Sequence, residues 1–242
     1  NFAVLALDQI GNSAAKMLYM PGGQVPIPIV FRGPNGAALQ LAGQHSTAWE
    51  SWLAHIPGLK VVAPATPADA KGLLKSAIRD NNPVIVLEGE MLYNIKGEVP
   101  DGEHVVPIGQ ADIKREGHDV TLVCHSKTVS VALKAADQLA EQQIRAEVLD
   151  LRSLRPIDEA AIVASVNKTH RAVVVEEGWP LAGIGAQVVD IIQRDAFDEL
   201  DGPVLRVAQA DVPMPYNKQL EKAAKPSPER VVAAARQALY LD

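Results

Sequence analysis

The chain has 242 residues, 48% hydrophobic and 21% charged, with a formal net charge of -6 and a single cysteine, Cys124. That length suits one large domain or two medium ones, each able to bury its own core, and two are expected. The acidic balance argues against a nucleic-acid partner, and no apolar run approaches the roughly 20 residues of a membrane helix. One thiol excludes an internal disulfide framework or a multi-thiolate metal site, and suits a reducing compartment such as a bacterial cytoplasm or a mitochondrial matrix.

The sequence opens on Asn1-Phe2-Ala3-Val4 without initiator Met, basic leader or cleavage site, and is expected to begin within a longer protein. Residues 3–19 place Val4, Leu7, Ile10, Ala14 and Leu18 at helical spacing, predicting a core-facing helix that stops before Gly22-Gly23. A buried strand is expected over 27–31. After it, Gly33-Pro34-Asn35-Gly36 opens a glycine-bearing loop that runs to His45 and Ser46. A second strand over 59–63 precedes Thr66-Pro67-Ala68-Asp69, which supplies an N-cap hydroxyl, a first-turn proline and an early acid for a helix to about residue 79. A third strand, PVIVL, follows at 83–87.

This alternation predicts a parallel sheet covered by helices. Because the unit opens on a helix, its earlier strands are expected ahead of Asn1. The bare sheet edge and apolar surface this would leave predict self-association of the isolated chain. The stretch 93–117, rich in Gly, Pro and charge, reads as a linker between residues 1–92 and 118–242. Beyond it the alternation resumes. Strands are expected at 120–124, 146–151, 172–176 and 204–207, and helices at 128–142, 158–166 and 184–194. Ser227-Pro228-Glu229 then caps a last helix through Val231, Ala235 and Leu239.

Few residues carry chemistry by pattern alone. Gly183-Ile184-Gly185 opens a helix after a strand but lacks the third glycine and the distant acid of a dinucleotide fingerprint, so a plain helix start is expected. His45, at the end of a loop on the carboxyl side of a strand, fits either a general acid or phosphate donor, or a capping histidine before the Trp49–Trp52 helix. His125, followed by Ser126 and Thr128, reads as part of a helix cap. Glu176 and Glu177 alternate faces, so at most one reaches any single site, and structural use is the simpler reading. The Asp80-Asn81-Asn82-Pro83 turn is rich in oxygen donors but mostly of the kind that satisfies backbone groups.

Taken together, NFAVLALDQIGNSAAK at 1–16, PIVFRGPNG at 28–36, GQHS at 43–46, HIPGLKVVAPATPADAKGLLKSAIRDNNPVI at 55–85, DLRSLRPID at 150–158, VVVEEGWPLAGIGA at 173–186 and ADVPMPY at 210–216 resemble the β subunit of 2-oxoacid dehydrogenase E1 enzymes, a transketolase-like family. RDNNPVI, VEEGWP and ADVPMPY look like its pyruvate branch. The resemblance implies an α/β fold: a partial parallel-sheet pyrimidine-binding domain followed by a transketolase C-terminal-like α/β domain.

It also implies a role in oxidative decarboxylation of pyruvate and acetyl transfer to lipoyl groups, with thiamine diphosphate and Mg²⁺ bound between this chain and an E1 α subunit in an α2β2 assembly. Phe2 matches the aromatic that packs on the aminopyrimidine, and His45 the histidine that handles the acyl group. Ile29, Ala77, Ile78, Asp80 and Asn82 match a structural potassium site built largely from carbonyls. Asp211 and the last helix are candidates for docking the subunit-binding domain of the E2 dihydrolipoyl acetyltransferase, where an acid would complement a basic partner. The family's glutamate on the pyrimidine nitrogen falls ahead of Asn1, so the chain alone is expected to be inactive. Two other readings stand beside this one: a branched-chain 2-oxoacid or acetoin dehydrogenase β subunit, and a non-catalytic docking module.

Overall fold

The computed structural model describes residues 1–241 and contains two sheets. In the first, the parallel strands β1 (Val30–Pro34), β2 (Lys60–Val62) and β3 (Val84–Glu88) lie in the order β1-β3-β2. The second is built from β4 (Asp112–Arg115), β5 (Val120–Cys124), β6 (Ala146–Asp150), β8 (Ala172–Val175) and β9 (Leu205–Val207), in the order β4-β6-β5-β8-β9, with only β4 antiparallel. Between β6 and β8 the short β7 (Ser153–Arg155) leaves its own unit and pairs antiparallel with β2, setting Val61 opposite Arg155.

Side chains of period two explain why these runs are strands buried on both sides. In β3, Ile85 and Leu87 enter one core while Val84 and Val86 enter another beneath α3 (Pro67–Ile78) with Leu73 and Ala77. In β8, Ala172 and Val174 face one way, and Val173 and Val175 face α4 (Thr128–Ala140) and α8 (Pro228–Ala238). The first of these cores crosses the two units without a break, joining Leu59, Val61 and Ile85 to Leu149, Leu154 and Ile191. Each such side chain contributes about 1.5–3 kcal/mol by leaving water.

Helix starts follow the local chemistry read from the chain. Thr66 accepts from the Asp69 amide at 3.1 Å with Pro67 in the first turn, and Ser227 accepts from Arg230 at 3.3 Å with Pro228 behind it. Asp158 caps α5 (Glu159–Thr169), and Asn217 caps α7 (Lys218–Ala224). The remaining helices are α2 (Glu50–His55) and α6 (Ile184–Asp195).

Three expectations are corrected. The single helix over 3–19 is a 3-10 turn, Phe2–Ala6, then a π-helical stretch, Gln9–Ala14, then α1 (Ala15–Met17). Of its apolar stripe only Ile10 and Ala14 are buried, because no described element covers Phe2–Ala6. The first strand begins at Val30 rather than 27, since Pro26 and Pro28 cannot donate to a ladder. Residues 112–115, expected as linker, form β4, whose charges sit at a sheet edge where polar residues are tolerated. Beyond these, Ser153–Arg155 forms β7, a strand the sequence did not announce and which belongs to the other unit's sheet. Gly58 is a required glycine: its φ is +96°, and a Cβ there would stand 1.8 Å from the Ala15 carbonyl oxygen.

Candidate active site

After β1 the chain turns at Asn35-Gly36 and crosses to a 3-10 turn, Gly43–His45, before α2 begins at Glu50. This strap carries His45 to the amino-terminal segment, where its ring meets Phe2 edge to face, with centroids 5.3 Å apart and planes at 80°. Phe2 is 62% exposed, so the rest of its ring is open to a ligand. Beside it a cleft of about 250 Å³ is lined by Asn1, Val4, Leu7, Phe31, Trp49 and Leu87. An apolar cleft with a few polar groups at its rim is the usual form of a cofactor site.

Asparagines hold this arrangement. Asn1 Oδ1 accepts from the Thr47 amide at 2.9 Å and from Trp49 Nε1 at 3.2 Å, pinning the strap beside Phe2. Asn35 Oδ1 accepts from the Trp49 amide at 2.7 Å while its Nδ2 donates to Glu50 at 2.7 Å. Glu50 is 2% exposed and lies 3.7 Å from the Nε2 of His125, itself 5% exposed. Burial alone would raise the Glu50 carboxyl, but His125 and Asn35 outweigh it and hold it below the usual carboxylate range. Burial likewise opposes charge on His125, yet Glu50 keeps its affinity for a proton raised.

The adjacent glutamates face apart as their alternation requires. Glu176 accepts from the Gly185 amide at 2.8 Å and from Arg206, so a carboxylate already occupies the start of α6. A dinucleotide phosphate has no place there. Glu177 accepts from the Ala37 amide at 2.6 Å and pairs with Lys127. A Cβ on Gly36, whose φ is +74°, would fall 2.7 Å from Glu177 Oε1, which is why the strap turns on a glycine. His125 is not the cap of α4, whose N-cap is Lys127; its backbone ties to the first turn, the amide donating to Thr128 Oγ1 at 3.2 Å and the carbonyl accepting from the Thr128 amide at 3.1 Å, while its ring faces Glu50.

Ile29, Ala77, Ile78, Asp80 and Asn82 gather at the turn between α3 and β3 and the approach to β1, away from His45 in the chain. Asp80 Oδ1 accepts from the Asn82 backbone amide at 2.8 Å and side-chain amide at 2.9 Å, and Oδ2 pairs with Lys60 at 2.5 Å. Burial would raise the Asp80 carboxyl, but Lys60 and Asn82 bring it below its ordinary value. No cluster of three or more His, Cys, Asp or Glu suited to a metal occurs among the described residues. Any cation here would rely on backbone carbonyls. The Ile29 carbonyl accepts from Val84 at 2.9 Å and keeps a second lone pair, while that of Ala77 accepts from Asp80 at 3.3 Å and from the Arg79 amide at the end of α3.

Asp211 is exposed on the segment between β9 and α7, whose Pro213 lies against Gly43 of the His45 turn. Phe2 and His45 are thus brought together, while Asp80 makes its contacts with Lys60 and Asn82. Asn1, Asn35, Glu50 and Lys127 were not singled out in sequence. Only the Pro-Asn-Gly turn and the acid opening α2 hinted at them.

Comparison with known proteins identifies the two domains and the family. Residues 1–96 match the transketolase pyrimidine-binding domain and 109–231 the transketolase C-terminal domain. The mitochondrial pyruvate dehydrogenase E1 component subunit beta of Caenorhabditis elegans is 54% identical over the whole chain, which covers 70% of that relative. The Rhizobium meliloti subunit is 53% identical over 99% of the chain, which spans 52% of its length. The beta-2 subunit of Oryza sativa is 52% identical over 99%, and the chain spans 65% of it.

Among solved structures, a split-gene transketolase described as an inactive beta4 tetramer aligns over 99% of this chain and 73% of its own, with TM-score 0.80 and 26% identity. A Pichia stipitis transketolase aligns over 99% of this chain and 32% of its own at TM-score 0.65 and 15% identity, showing the fold alone. The chain belongs to the family of pyruvate dehydrogenase E1 component β subunits, built on the pyrimidine-binding and C-terminal domains of transketolase.

Proposed function

We propose that the protein is the β subunit of a thiamine-diphosphate-dependent pyruvate dehydrogenase, which decarboxylates pyruvate oxidatively and passes the acetyl group to the lipoyl groups of an E2 dihydrolipoyl acetyltransferase. In this reading residues 1–92 belong to the pyrimidine-binding domain and the C-terminal domain, expected over 118–242, also takes in β4, so that the joining segment ends ahead of Asp112. The observation that carries the reading is the exposed Phe2 ring packed on His45, with Asn1 and Ala3 on either side of Phe2 lining an apolar cleft. A flat apolar face beside a titratable imidazole fits an aminopyrimidine.

When bound, thiamine diphosphate supplies the electron sink for the carbon–carbon cleavage. This chain's part is to stack the pyrimidine on Phe2, keep water from the cleft, and let an imidazole nitrogen of His45 give or take a proton as the acyl group leaves. The diphosphate and its Mg²⁺ fall to the E1 α subunit, in an α2β2 assembly. Ile29, Ala77, Ile78, Asp80 and Asn82 hold a structural potassium ion, a weakly charged cation suited to carbonyls beside an already paired carboxylate. Asp211 contributes to the surface that docks the E2 subunit-binding domain. Relatives carry both mitochondrial and bacterial names, supporting either the matrix or the bacterial cytoplasm as the working compartment.

The test is oxoacid-dependent dye reduction by the full-length β chain co-expressed with its α partner, supplied with thiamine diphosphate and Mg²⁺. Preference for pyruvate supports the proposal. Activity only on branched-chain acids or acetoin would keep the cofactor and change the substrate, and no activity on any of them would return the protein to a docking role.

A further inference from the structure

The half of the chain after residue 118 lends no side chain to the Phe2–His45 contact, yet it grips the strap bearing His45 at three places. At the first, Ala37 is clamped on both sides of its peptide: its amide donates to Glu177 at 2.6 Å and its carbonyl accepts from Lys127 at 2.5 Å. At the second, the Gln40 amide donates to Glu221 of α7 at 2.7 Å, and Pro213 lies against Gly43. At the third, His125 faces Glu50, the residue that opens α2.

The third contact continues through a chain of directed hydrogen bonds. An ionised carboxylate only accepts, so Glu50 obliges Asn35 to present Nδ2 to it and leaves Oδ1 to receive the Trp49 amide. Trp49 then donates its indole Nε1 to Asn1 Oδ1, which also receives the Thr47 amide. Asn1 precedes Phe2, and Phe2 packs on His45. Each link fixes the orientation of the next, and the first depends on Glu50 remaining ionised in a site without solvent, which a neighbouring positive charge permits.

We infer that His125, acting through Glu50 and Asn35, is a positioning residue for His45, so that the C-terminal domain sets the geometry of a reactive group it does not touch. For the consequence to acyl transfer this rests on the reading of His45 given above. The charged groups facing His125 are Glu50 at the start of α2, Glu176 after β8 and Asp150 at the end of β6. Glu50, which stays ionised, is the chief of these and favours the protonated imidazole, while Asp150 adds to it only once it loses its own proton near neutral pH.

The experiment measures the rate at which diethylpyrocarbonate modifies His45 across pH, by peptide mass spectrometry on the complete αβ assembly. His125→Gln and Glu50→Gln should each raise that rate about threefold or more and displace its pH midpoint, as removal of one member of a coupled polar network does. The double variant should do no more than either single one. Asn35→Ala, which cuts the relay outside the deepest core, should give the same change and serves if the His125 variant does not fold. A His45 rate and pH profile equal to wild type in folded His125→Gln or Asn35→Ala protein overturns the inference. Failure of the His45 reading shows separately, as undiminished acetyl transfer by His45→Ala protein.

Discussion

Asp150 offers a quantitative test of the interior electrostatics. Its side chain is fully buried at the end of β6, where Oδ1 accepts from the Arg152 amide at 3.0 Å and Oδ2 receives no hydrogen bond from the described residues. The nearest ammonium, Lys114, stands 3.7 Å away but is shared with Asp69 at 2.6 Å and Asp112 at 2.7 Å. Burial, with a smaller effect from the Asp69 charge, therefore pushes the Asp150 carboxyl up from 3.8 to about 7, with Lys114 only partly opposing.

A group whose folded pKa is raised contributes stability below its unfolded pKa and loses it as pH rises toward the folded value. Across that window each pH unit costs the wild type about 1.4 kcal/mol. Asparagine has the shape of the protonated acid and no charge to gain. Asp150→Asn should therefore gain on the wild type by about 2–3 kcal/mol between pH 5 and 7, then hold level to pH 8. In urea titrations that difference separates the unfolding midpoints by about 1 M for a chain of this size. Lys114, raised, and Asp69, lowered, are charged throughout this range and cancel in the comparison. A variant-minus-wild-type difference that stays flat from pH 5 to 8 would refute the assignment of a neutral, poorly paired Asp150.

Other outcomes follow from features already described. Gly58→Ala should cost more than about 2 kcal/mol in thermal or urea unfolding, because it adds left-handed strain to a backbone collision with Ala15; a loss under about 0.5 kcal/mol would contradict the close approach. His45→Ala should slow single-turnover acetylation of lipoyl groups far more than it weakens cofactor binding measured by calorimetry, and equal losses would count against its transfer role. Exchanging potassium for sodium at constant ionic strength should lower the melting temperature of the wild type but not of an Asp80→Ala variant, as ligand linkage requires; equal melting of the wild type in both salts would dismiss the cation. Asp211→Lys should slow association with the isolated E2 subunit-binding domain and flatten its salt dependence. An unchanged association rate in a flow assay would place that surface elsewhere.

The parallel strands were legible because their apolar runs are continuous and their neighbours carry Thr-Pro, Asp and Ser-Pro caps. β4 and β7 were not. Asp112-Ile113-Lys114-Arg115 has no apolar face to announce it, and Ser153-Leu154-Arg155 owes its strand form to β2, far away in sequence. At the site, Phe2 and His45 stood out through family resemblance, since a lone histidine in a loop has no pattern of its own. Glu50 was hidden because an acid opening a helix is ordinary, and its burial against His125 is a tertiary fact. His125 was read as a helix cap, but Lys127 takes the cap position of α4, and the role of the His125 ring against Glu50 went unseen. A ring that meets a carboxylate from another element has no local signature.

The excursion of β7 bears on how this protein is made. During synthesis β2 emerges well before Ser153, and at about 5–20 residues per second the ribosome takes roughly 5–20 s to supply the strand that closes its free side. Through that interval Val61 and Val62 belong to an open edge, the configuration most prone to pairing with a neighbouring nascent chain. Cleavage within 93–117 after folding would equally fail to free two halves, because the amino-terminal sheet would carry away a strand still covalently part of the other.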